Sequence, residues 1–147
     1  MKQRIDVQPL RPGDRDAWLP LARGYKRFYE TPTSDEEFDQ AWSRLMAGGE
    51  VHGLAAKEGG TMLGIAHYLF HASTWATKVC YLQDLFTAPQ ARGRGVARAL
   101  IAAVADYARL RGATRYYWLT QDNNRTARAL YDKVAQHKGF IRYDFPL

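Results

Sequence analysis

Apolar and polar residues recur with two different periods along this chain, and the change of period separates its elements. Ile5–Leu10 reads as a short first strand, broken by Pro12-Gly13-Asp14. From Asp16 to Tyr29, the residues Trp18, Leu21, Ala22, Tyr25, Phe28 and Tyr29 recur at three- and four-residue steps, the signature of one helix face. Thr31-Pro32 ends that helix. Ser34 with Glu37 makes a capping box for a second helix, Asp35–Met46, which Gly48-Gly49 stops. Val51–Lys57 and Met62–Phe70 read as strands joined by the hairpin signal Glu58-Gly59-Gly60-Thr61. His71–Lys78 is a loop, and Val79–Thr87 is a further strand bounded by Pro89. Val96, Leu100, Val104, Tyr107 and Leu110 share one face of a long helix, Gly95–Arg111, with Gly112 in the position where helices commonly end. Thr114–Thr120 is a strand of Tyr, Trp and Thr, a composition that suits a pleated, half-buried surface. Asn123–Gln136 is a helix ended by Gly139, and Phe140–Phe145 closes the chain as a strand.

The resulting order, β-α-α-β-β-β-α-β-α-β, predicts an α/β (α+β) fold with a mixed sheet. It does not alternate strictly, as a doubly wound nucleotide fold would. No repeat or linker divides residues 1–147, so one domain is expected. Composition adds limits. The lone cysteine, Cys80, excludes an internal disulfide and fits a reducing, cytoplasmic setting. The opening MKQRIDVQPLRPGD carries no apolar signal-peptide core. No stretch approaches the roughly 18 apolar residues of a membrane span. His52, His67, His71 and His137 lack metal-ligand spacing, so no metal is expected.

The net charge of +6 favours an anionic ligand, and much of it crowds the second half: Arg92, Arg94, Arg98, Arg109, Arg111, Arg115, Arg125 and Arg128. Within Arg92–Arg98, three arginines and two glycines stand directly before the long helix, where no Ser, Thr, Asp or Asn offers a cap. Bare backbone N–H groups and guanidinium groups at a helix start suit a pyrophosphate. The P-loop pattern fails here, because Gly95 is followed by Val96 and Ala97 rather than Lys and Ser/Thr. The dinucleotide fingerprint fails too, since Arg98 stands where its third glycine belongs. Gln90-Ala91-Arg92-Gly93-Arg94-Gly95 matches the pattern Gln/Arg-x-x-Gly-x-Gly/Ala at each specified position.

That loop resembles the acetyl-CoA-binding loop of the GNAT superfamily of N-acetyltransferases. The likeness runs from Tyr81 to Phe140 and includes Asn124-x-x-Ala127-x-x-x-Tyr131 followed by Gly139-Phe140. Its spelling is most similar to histone or polyamine acetyltransferase-like members. The resemblance implies six to seven strands, about four helices, and central strands splayed into a coenzyme A cleft. It implies that Arg92, Gly93, Arg94, Gly95, Val96 and Ala97 hold the pyrophosphate. Leu85, Phe86 and Thr87 would pair with the pantetheine arm, and a backbone N–H near Leu85 would polarise the thioester carbonyl. Asn124 would contact the pantetheine, and Tyr131 would protonate the departing sulfur. Seven residues are almost two turns, so Asn124 and Tyr131 lie on one helix face, which an ordinary amphipathic core helix would also produce. Related proteins are often dimers, and Phe140–Phe145 offers an edge for a homodimer.

The acceptor nitrogen must lose protons, and a lysine-like amine has a reference pKa near ~10.4, so a base or a water relay is expected. Several relatives carry a glutamate on the strand that is Val79–Thr87 here, yet Tyr81 or Gln83 falls at that place. Strict alternation puts Tyr81 and Gln83 on one face and Asp84 on the other. Asp84 is the only acid on the strand, and two roles stay open for it: catalytic base, or buried carboxylate that anchors the first helices. The aromatics of those helices (Trp18, Tyr25, Phe28, Tyr29, Phe38, Trp42), with Glu30, Asp35, Glu36 and Glu37, are either an acceptor surface or core plus helix-start acids. The expected activity is acetyl transfer from acetyl-CoA to a primary amine, either a small polyamine-like molecule or a protein lysine or N-terminus. A non-catalytic acyl-CoA sensor is the alternative. Neither a membrane nor a nucleic-acid partner is expected.

Overall fold

The hairpin at Gly59-Gly60 organises the sheet. Both glycines have positive φ (56° and 86°), which a two-residue turn between twisted strands requires. It joins β2 (Val51–Glu58) to β3 (Thr61–His71). The computed structural model describes residues 4–147. Among these residues the remaining elements are β1 (Asp6–Pro9), α1 (Arg15–Phe28), α2 (Asp35–Met46), β4 (Val79–Thr87), α3 (Val96–Leu110), β5 (Arg115–Trp118) and α4 (Arg125–Val134). The sheet order is β1-β2-β3-β4-β5. Its first four strands are antiparallel, and β5 joins parallel to β4 after the α3 crossover. No helix among the described residues is long and apolar enough to cross a membrane.

Glycines set how closely the helices approach. A Cβ on Gly64 of β3 would lie 2.7 Å from Val96 Cγ1, 3.0 Å from the Phe86 carbonyl oxygen and 3.1 Å from Leu100 Cδ1. Its absence lets α3 settle on the sheet. On the opposite face a Cβ on Gly24 would lie 2.8 Å from the Phe86 ring, so α1 lies directly over β4. Trp18, Leu21 and Ala22 of α1 and Phe38 and Trp42 of α2 fill the core on that side, with the Trp18 and Trp42 rings 5.0 Å apart. The Ser34–Glu37 capping box forms as expected.

Two expectations are corrected. The sheet has five strands among the described residues, not six to seven. Phe140–Phe145 forms no strand, and Phe140, Tyr143 and Phe145 stand 85%, 86% and 86% exposed. A strand needs a neighbour to satisfy its backbone, and this segment pairs with none among the described residues. Leu110 is also exposed, because the buried stripe of α3 is Val96, Leu100, Ile101, Val104 and Ala108. Two residues beyond Ala108, a side chain has turned about 200° away.

Candidate active site

The loop before α3 leaves the start of that helix without a side-chain cap. Gly93 and Gly95 have φ of 79° and 82°, and Gly95 is the left-handed N-cap of α3. A Cβ on either would meet open space, so positive φ rather than crowding is what calls for glycine. The Ala99 N–H makes the first turn's bond, to the Gly95 carbonyl at 3.0 Å. The N–H groups of Val96, Ala97 and Arg98 therefore lack acceptors within the helix, and no side chain caps it. The helix dipole adds about 0.3–1 kcal/mol for an anion placed there. The guanidinium of Arg92 stands 5.8 Å over the Phe86 ring with no carboxylate partner among the described residues, whereas Arg94 is ion-paired with Glu58. The side chains of Val96 and Phe86 are core, so only their backbones face this helix start.

Behind the loop, β4 carries one extra residue. His67 pairs with Asp84 and Tyr68 with Leu82, which leaves Gln83 as a bulge. The pairing of β4 with β5 ends at Leu82↔Trp118, and beyond that point the two strands part. The Ala88 N–H bonds the Leu63 carbonyl on β3 at 2.8 Å. Backbone donors alternate sides along an extended strand, so the N–H groups of Leu85 and Thr87 aim into the gap. A cleft opens there, lined by Leu82, Gln83 and Leu85 of β4, Trp118 and Leu119, Tyr25 and Tyr29, and Tyr131 of α4. A more open basin at the α1–α2 corner is lined by Arg23, Lys26 and Arg27, the wrong sign of charge for a cationic amine.

The bulge also corrects the expected facing. Tyr81 pairs with Leu69 and Asp84 with His67, two residues apart on β3, so Tyr81 and Asp84 share the face beneath α1. The Asp84 carboxylate is three-quarters buried and lies 2.9 Å from His67 Nδ1. Burial alone would raise its pKa. The hydrogen bond with His67, the neighbouring Tyr25 hydroxyl and the positive charge of Lys26 outweigh that, and the carboxyl sits below the usual carboxylate value. Burial and the Asp84 charge together push the Tyr25 hydroxyl far above an ordinary phenol.

Tyr131 faces the cleft from the other side. Its ring meets Trp118 edge-on at 5.4 Å, and burial pushes its phenol up to about 12, so it keeps its proton at neutral pH. Asn124 precedes the first residue of α4, with its amide donating to Thr120 Oγ1 at 3.2 Å. Of the aromatics proposed as an acceptor surface, Tyr25 and Tyr29 line the cleft, while Trp18, Phe38 and Trp42 are core. The helix acids lie elsewhere: Asp35 pairs with Arg23, and Glu37 caps α2.

The acetyltransferase (GNAT) family model matches residues 16–135 of this chain. The chain belongs to the GNAT family. It is 33% identical over 147 residues to a D-amino-acid N-acetyltransferase of Saccharomyces cerevisiae, spanning 97% of this chain and 91% of that protein. It is 38% identical over 84 residues to a thialysine N-epsilon-acetyltransferase of Caenorhabditis elegans, 57% of this chain and 52% of that one. Its fold is similar to that of AAC(6')-Iy in complex with a CoA-S-monomethyl-acetylneamine bisubstrate analogue, with a TM-score of 0.88 at 17% identity over 98% of this chain and 99% of that one. As a GNAT N-acetyltransferase, the protein draws its acetyl group from acetyl-CoA. Its own geometry fits that molecule: a cradle of bare N–H groups for phosphate, then a strand edge with outward donors where a narrow arm can lie. Sequence reasoning missed His67, the Gln83 bulge, and Trp118 and Leu119 as cleft walls. A Gly or Pro in β4 would have signalled the bulge, but VCYLQDLFT contains neither.

Proposed function

We propose that this GNAT enzyme acetylates a small cationic primary amine, with Tyr131 as acid and Asp84 as the group that receives the amine. The observation that carries the reading is a narrow aromatic cleft walled by the Tyr131 phenol and Tyr25, beside the β4 carboxylate of Asp84, which is one-quarter exposed and pairs with no lysine or arginine among the described residues. A flexible amine can enter such a cleft, and aromatic faces attract its charge. D-amino acids and thialysine, named for the relatives, and the acetylated aminoglycoside analogue bound to the structural neighbour all present an amine of this kind. The names of the two sequence relatives support a small-molecule acceptor. A cytoplasmic location suits both this substrate class and the reduced, buried Cys80.

Acetyl-CoA supplies an activated acetyl group when bound, and the chain's own residues do the rest. Gly93, Gly95, Val96 and Ala97 present backbone donors to phosphate, with Arg92 nearby; Arg94 reaches it only by leaving Glu58. The Leu85 N–H stabilises negative charge as it develops on the thioester carbonyl oxygen, and Phe86, Thr87 and Asn124 flank the arm. The ammonium first gives one proton to solvent water; the neutral nitrogen then attacks the acetyl carbon, the carbon–sulfur bond breaks, and Tyr131 donates its phenolic proton at sulfur. Asp84 is a weak base toward a free ammonium. It takes a proton as the carbon–nitrogen bond forms, when the nitrogen's protons become far more acidic. Both groups then reset against solvent.

Steady-state assay of Tyr131→Phe against a panel of polyamines, amino acids and lysine analogues tests this. Turnover is expected to fall about 10²–10⁴-fold, with acetyl-CoA affinity by calorimetry nearly unchanged. Wild-type turnover in the variant removes Tyr131 as the acid. We also propose that two copies associate through residues 140–147, because the outer edge of β5 carries no strand among the described residues and the apolar side chains of that segment stand in solvent. A monomeric mass by light scattering at working concentration contradicts this.

A further inference from the structure

Behind Asp84 stands a chain of polar groups that the transfer steps above leave unused. His67 Nδ1 lies 2.9 Å from Asp84 Oδ2, and the Trp18 indole nitrogen lies 3.0 Å from His67 Nε2. An indole nitrogen can only donate. Trp18 is 1% exposed, so its N–H has no water to turn to. His67 Nε2 must therefore offer a lone pair, and the ring's single proton sits on Nδ1, directed at Asp84. An imidazolium would set the Nε2–H against the indole N–H, donor against donor. The histidine gives Asp84 a hydrogen bond but no counter-charge.

The surroundings make that distinction matter. From α1, the Tyr25 hydroxyl and the charge of Lys26 act on Asp84; from β4, Tyr81 shares its face. Other ion-paired carboxylates near the sheet and first helices have permanent cations: Asp14 with Lys57, Asp35 with Arg23, Glu58 with Arg94. Asp84 has only the neutral ring.

We propose that Trp18 and His67 are positioning residues: the buried indole locks His67 in its neutral Nδ1–H form, so that Asp84 stays free to pair with the acceptor's ammonium group. This rests on the role assigned to Asp84 above. Without the indole, His67 Nε2 is free to take a proton as pH falls. The imidazolium then pairs with Asp84 and competes with the substrate.

Two measurements test the lock. In ¹⁵N-histidine NMR of the wild-type protein, the His67 signals, assigned by their loss in His67→Asn, should keep the neutral Nδ1–H pattern from about pH 8 to about pH 5.5, where a free histidine titrates. A His67 that becomes doubly protonated in that window overturns the proposal, with no substrate needed. In the second, kcat/KM for one amine is compared between Trp18→Phe and wild type at each pH, which cancels the ionisation of the amine itself. The ratio should fall about tenfold per unit below the released histidine's pKa, chiefly through KM for the amine. His67→Asn can still donate to Asp84 and cannot ionise, so its ratio should stay flat. A flat ratio for Trp18→Phe overturns the lock. A locked His67 together with an Asp84→Asn variant of wild-type kcat/KM overturns the proposal at the Asp84 reading instead.

Discussion

Glu30 holds a backbone shape that its own side chain disfavours. At the end of α1 the Thr31 N–H bonds the Lys26 carbonyl at 2.9 Å, and the Glu30 N–H bonds the Arg27 carbonyl at 3.0 Å, the paired bonds of a Schellman motif. Its left-handed position is usually glycine, but here Glu30 has φ 52°. Glu30→Gly should raise the unfolding free energy by about 1 kcal/mol, the strain of a side chain in that region, read as a higher urea midpoint. An unchanged or lower midpoint means the strain is absent. At this scale the sequence was partly legible. Asp84 stood out as the only acid on its strand, and Tyr131 as the match to a known pattern. His67 did not, because its partnership depends on the register of two strands, and no residue in either strand records that register.

Among the elements, every helix was legible, because apolar periodicity and glycine or capping signals agree at its ends. β4 was legible as a strand but not as an interrupted one. Phe140–Phe145 has a strand's composition, yet pairing is a property of neighbours and not of composition. The approach of α3 to β3 rests on Gly64, where three atoms lie within 3.1 Å of an added Cβ, one of them a backbone oxygen that cannot rotate away. Gly64→Ala should therefore cost about 1–3 kcal/mol, the usual penalty for overpacking, measured by denaturant unfolding. Because Gly64 also packs against the helix that begins at the phosphate cradle, acetyl-CoA affinity should weaken with it. A neutral Gly64→Ala would show that the α3–sheet contact is looser than these distances imply.

For the whole molecule, net charge pointed to the right ligand for a limited reason. Several of the clustered arginines are already paired, Arg94 of the loop with Glu58, and Arg109 with Asp106 and Arg128 with Asp122 away from it, so the free positive charge is smaller than the sequence suggests. The apolar tail stands in solvent. A chain ending at Gly139 should stay folded and lose the two-copy mass that we expect of the full chain in sedimentation; equal masses for both would mean that the tail holds no partner. The Gln83 bulge reaches across all three scales. It acts as a phase shift in a pattern of period two: everything before it keeps one parity, and everything after it takes the other. At that shift β4 parts from β5, and the carboxylate of Asp84 turns toward the α1 side. A chain without Gln83 would keep one parity along the whole of β4, and Asp84 could no longer share a face with Tyr81.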